Sequence, residues 1–108
     1  MDLSRQQAEI LQRLIVQEFR IVAFPMYANY IGVRKGNCAA LLAPLTSDGF
    51  TVFGAAAYMV GENLGVRVKQ RDGEYFVWKK DRVLATPERV AELERFSAEL
   101  AAALVPVA

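Results

Sequence analysis

Apolar side chains recur at helical spacing over residues 3–22. At 100° per residue, Leu3, Ile10, Leu11, Leu14, Ile15, Phe19, Ile21 and Val22 share one half of the wheel, and Arg5, Gln6, Glu9, Gln12, Arg13, Gln17 and Arg20 share the other. This predicts an amphipathic helix over 3–22, capped by Asp2 or Ser4. Phe24-Pro25 ends it, because a residue before proline is pushed out of the α region. From 26 to 54 the pattern shortens to strands. The turn signals Lys35-Gly36-Asn37 and Thr46-Ser47-Asp48-Gly49 bracket an apolar run. Its first part, Cys38 to Ala43, is assigned to a strand, although a helical turn suits that length as well. Phe50-Thr51-Val52-Phe53 continues in β-branched and aromatic residues.

Residues 55–62, rich in alanine, predict a short helix that exits at Asn63 or Gly65. Next comes a hairpin signal: alternation from Leu64 to Gln70, an Asp72-Gly73 pair expected to form a type I′ turn, and a return strand from Glu74 to Lys80. Thr86-Pro87-Glu88 opens a last helix, with Val90, Leu93, Phe96, Leu100 and Leu104 on one face. The expected architecture is a single α+β domain over 1–108, in the order α-β-β-β-α-β-β-α. Its small, mostly antiparallel sheet would form one layer and the terminal helices a second. This order is similar to that of the small homodimeric chaperones of type III secretion, a likeness of element order that shares no motif.

Composition narrows the chemistry. The chain of 108 residues has no histidine and a single cysteine, Cys38. Intramolecular disulfides, CxxC sites and Ser-His or Cys-His nucleophile pairs are therefore excluded. Asp2, Arg5, Glu9 and Arg13 stand where a leader would need an apolar core. The run from Cys38 to Leu45 is far short of a membrane span, so a cytoplasmic location is expected. Net charge is +1, but it is unevenly placed: residues 67–82 hold six basic and three acidic groups, whereas 83–108 hold two and four. The hydrophobic content of 54% exceeds what a chain of this length readily buries, which favours a homodimer. Val90, Leu93, Ser97, Leu100 and Leu104 repeat at three and four, as an interface seam does.

Two places could carry a site. On a two-residue Asp72-Gly73 turn, Arg67, Lys69, Phe76, Trp78 and Lys80 share the outer hairpin face, where cations interleaved with aromatics could hold single-stranded nucleic acid. Val66, Val68, Tyr75 and Val77 would form the buried face, although Phe76 and Trp78 packing beneath a helix is the commoner arrangement. Glu18 falls within the apolar half of the first helix, where a buried carboxylate could serve a ligand or a reaction. Gln7, on the same arc, is expected to mark a frayed edge. Gly54, Gly61 and Gly65 belong to neither a P-loop nor a dinucleotide fingerprint. No metal ligand set and no cofactor motif is found. The expected function is that of a non-catalytic, homodimeric adaptor or chaperone-like domain that binds a protein or peptide. A sequence-tolerant nucleic-acid binder is the second reading, and a small-ligand binder or enzyme around Glu18 the third.

Overall fold

The computed structural model describes residues 3–45 and 49–105. Asp2 and most of the expected 46–49 turn lie outside them. The elements are α1 (Arg5–Val16), β1 (Arg20–Val22), β2 (Ile31–Lys35), β3 (Cys38–Pro44), β4 (Phe50–Val60), β5 (Asn63–Gln70), β6 (Gly73–Trp78), β7 (Asp81–Leu84) and α2 (Pro87–Ala103), with a 3₁₀ turn at Pro25–Tyr27. All seven strands pair with their chain neighbours as an antiparallel meander. The α+β class holds. The expected order does not, and the sheet curls into a half-barrel where one layer of a two-layer stack was expected.

The first helix ends six residues early. Gln17 is its C-cap and Glu18 turns left-handed at φ 72°. The Phe19 amide donates to the Leu14 carbonyl at 3.0 Å and the Glu18 amide to that of Ile15 at 3.0 Å, which is a Schellman closure. The closure drops Phe19 into the core beside Leu14, and Ile21 and Val22 then pair with Val33 and Gly32 of β2. At the other end Ser4 and Gln7 form a capping box. Gln7 is not a frayed edge: it is buried, and its amide donates to the Gly49 carbonyl at 3.0 Å and that of Leu45 at 3.3 Å, holding the β3–β4 connection.

The helix expected at 55–62 is absent: residues 55–60 continue β4, and Gly61 and Glu62 turn the chain into β5. Alanine's helix preference loses to two ladders, Ala39↔Ala57 and Cys38↔Tyr58 on one side and Tyr58↔Gly65 on the other. Between Leu41↔Phe53 and Ala39↔Ala57, β3 spends only Ala40 while β4 spends Gly54, Ala55 and Ala56. This bulge turns on Gly54, at φ 71°. Two-residue turns close β2–β3 and β4–β5 with Gly36 and Gly61 at φ 62° in the first position; Lys79 fills the same position before β7 at 52°. The strand β7 has no counterpart in the expected order.

The core lies on the concave side. Ile10 and Leu14 of α1, Val33, Cys38, Ala40, Leu42, Tyr58 and Phe76 of the sheet, and Phe96 and Leu100 of α2 are all buried there. The α2 stripe expected to form a dimer seam is turned to its own sheet, with Val90, Leu93 and Leu104 packed on this core and Ser97 exposed. Thr86 caps α2 as expected, accepting from the Arg89 amide at 3.2 Å. Arg13 closes the far end, donating to the carbonyls of Ala103 and Val105 at 2.9 Å each. A guanidinium is well placed there, where the helix dipole is negative.

Candidate functional site

The 64–80 hairpin forms, but its turn is Arg71-Asp72, neither with positive φ, and Gly73 follows at φ 147°. The expected I′ geometry on Asp72-Gly73 is thus replaced, and the register moves by two, to Val66↔Val77, Arg67↔Phe76 and Val68↔Tyr75. A shift of two keeps the same residues on the same face. What inverts is which face is inside. Phe76 is fully buried and Trp78 packs on the core, while Val66 is 64% exposed. The cause is Gly65: the rings of Tyr58 and Phe76 stack at 4.7 Å and 13° across this strand, and no Cβ intervenes. Valines would not fill that space.

The five hairpin candidates are therefore not assembled as an open basic-aromatic platform. Arg67 donates from Nε to Glu74 Oε1 at 2.8 Å, Phe76 is sealed in, and Trp78 is half-buried beneath Lys79, whose Nζ lies 5.4 Å from its ring. Lys69 and Lys80 are exposed. The placement of Glu18 also differs from that expected. The residue stands exposed at the helix exit, because the wheel that put it among apolar residues stops two positions earlier.

A feature not anticipated from the sequence is a fork between β4 and β5. The two strands pair only over Val60↔Asn63, Met59↔Leu64 and Tyr58↔Gly65. Beyond that, Phe50–Phe53 and Ala57 pair with β3 alone, with the Gly54–Ala56 bulge between them, and Val66–Gln70 pairs with β6 alone. The backbone groups of successive strand residues alternate sides. Gly65 turns its own to β4, so Arg67 and Lys69 turn theirs the same way, where β4 has already diverged.

A cleft of ≈ 690 Å³ occupies the fork, a volume in the range of ligand sites. Tyr27, Leu41, Phe53, Leu64 and Val66 line it on the convex side, and Ala56, Arg67, Leu93, Glu94 and Ser97 on the side of α2. The β1–β2 connection shapes the convex wall. Phe24 lies on Gly32, where a Cβ would come within 2.6 Å of the ring, and Tyr30 stacks on Phe53 at 4.3 Å. The sequence signal for the fork is faint: Gly54 within a strand is the mark of a bulge.

The polar side chains of the cleft are those of Tyr27, Arg67, Glu94 and Ser97. Cys38 is buried in β3 outside it, its thiol pushed up to about 12 by desolvation and then by Glu92. Among the described residues no cluster of three His, Cys, Asp or Glu side chains could hold a metal ion, and no helix is long and apolar enough to cross a membrane. In the comparisons, no protein-family model, curated protein or solved structure matches the chain.

Proposed function

We propose that this chain is a non-catalytic interaction domain whose β4–β5 cleft takes up an extended segment of a protein or peptide partner. The observation that supports it is the fork itself. Both walls are strands with one edge unpaired, and an added strand satisfies such edges with main-chain hydrogen bonds where a helix or a lipid cannot. Because β4 and β5 run antiparallel, the added strand is parallel to one and antiparallel to the other. The apolar walls then grip alternate side chains.

The test is selection of binders from a displayed library of eight-residue peptides, repeated on Ser97→Trp. Ser97 is exposed at the cleft wall, so the indole fills the cleft without disturbing the core. Sequences enriched on the parent protein and lost on Ser97→Trp are the expected result. Enrichment that is equal on both proteins places binding elsewhere.

A homodimer belongs to the same reading, carried by a sheet face instead of the α2 seam. Val66, Val68 and Leu84 lie on the convex side of β5–β7 at 64%, 36% and 47% exposure, and a second copy would cover them.

A further inference from the structure

We infer that the segment fitting the β4–β5 cleft is apolar on both of its faces and carries carboxylates where it leaves the cleft along β5; this rests on the strand-uptake reading above. A strand at the edge of an ordinary antiparallel sheet has one wet face and alternates accordingly. A strand in this cleft would not. One side meets Phe53 and Leu64, and the other meets Ala56 and Leu93, with Ser97, Glu94 and the Glu74-paired Arg67 beside them. Polar side chains set against these apolar residues would lose water without gaining partners.

The charge comes from the mouth. The strands converge at Tyr58↔Gly65, so the cleft opens toward Gln70 and the β5–β6 turn. Lys69 and Arg71 stand exposed there, and no carboxylate among the described residues lies within salt-bridge distance of either. The neighbouring acids are taken, Glu74 by Arg67 at 2.8 Å and Asp72 by Arg82 at 3.7 Å. Glu94 of α2 also lines the cleft, so acidic residues are favoured only where the segment runs out beside β5. Such contacts at an exposed rim set partner choice and encounter rate more than affinity.

The experiment is fluorescence anisotropy at low salt with labelled synthetic peptides. The core Val-Ile-Val-Ile-Val carries Glu-Glu-Glu or Lys-Lys-Lys at either end, and a control core Ser-Ile-Ser-Ile-Ser carries the glutamates. The expected result has three parts: one acid-flanked apolar peptide binds at least tenfold tighter than its lysine counterpart; the serine core binds at least tenfold more weakly; and Lys69→Glu/Arg71→Glu reverses the flank preference. The variant sits on exposed residues and leaves the fold intact, as circular dichroism would verify. Equal binding of both flanks, or no effect of the variant, overturns the inference while leaving strand uptake standing. Failure of every apolar peptide to bind overturns strand uptake and the inference with it.

Discussion

Gly65 sets the concave face of the β5–β6 hairpin and the last rung before the fork, so Gly65→Ala is the most revealing single change to the fold. The added Cβ would lie 2.6 Å from Val60 Cγ2, 2.7 Å from the Tyr58 carbonyl oxygen and 3.3 Å from Phe76 Cβ. The second contact is with backbone and cannot be relieved by a rotamer change. Overpacking of this kind costs about 1–3 kcal/mol. Loosening the Tyr58–Phe76 stack forfeits about 0.5–1 kcal/mol more. Restricting the unfolded chain returns about 0.4–1 kcal/mol. The net loss is about 2 kcal/mol, or roughly 8 °C in Tm for a domain of this size. Urea unfolding followed by the fluorescence of Trp78, the single tryptophan, measures it. Gly61→Ala is the control: its Cβ meets nothing within 4 Å, leaving only the left-handed φ of 62°, worth about 1 kcal/mol. An unchanged midpoint for Gly65→Ala, or a smaller loss than for Gly61→Ala, would refute the packing described for the concave face.

Four further outcomes are expected. Glu18→Gly relieves a left-handed, exposed non-glycine and should raise the urea midpoint by the equivalent of about 0.5–1 kcal/mol; a lower midpoint would show that the carboxylate has a role. Arg13→Ala removes two bonds to the C-terminal end of α2 and should cost about 1–2 kcal/mol in the same assay. For Cys38 the folded pKa of about 12 lies above the ordinary 9.0, so the unfolded chain binds fewer protons between these values and stability falls as pH rises across that window. The slope of stability against pH should flatten there in Cys38→Ala, and equal slopes would contradict it. Finally, light scattering at micromolar concentration should give the mass of two chains, and Leu84→Glu should give one folded chain; a parent protein with the mass of one chain removes the homodimer.

Local chemistry made much of the frame legible. Thr86-Pro87 marked the start of α2, Lys35-Gly36-Asn37 marked the β2–β3 turn, and Ser4 was one of two caps offered for α1, whereas Gln7, expected at a frayed edge, closes the capping box. The failures arose where a partner distant in sequence overrode a local preference. Ala55–Tyr58 is helical by propensity and becomes strand because β3 and β5 flank it. The wheel of α1 ran on through Phe19 because a Schellman closure on glutamate leaves no glycine to announce it. The inside and outside of the hairpin reversed for one missing Cβ, as alternation identifies two faces without saying which is buried. The fork left only a faint trace, Gly54 within a strand, since pairing that stops after Tyr58↔Gly65 is a property of sheet curvature.

Amide hydrogen exchange, resolved by residue, tests the strand-uptake account most directly. In the free protein the amides of Arg67 and Lys69 should exchange far faster than those of Val66 and Val68, which are held by β6. With the acid-flanked Val-Ile-Val-Ile-Val peptide bound, Arg67 and Lys69 should become protected while Val66 and Val68 change little. Protection of Arg67 and Lys69 already in the free protein, or peptide binding that leaves both amides fast, would contradict it.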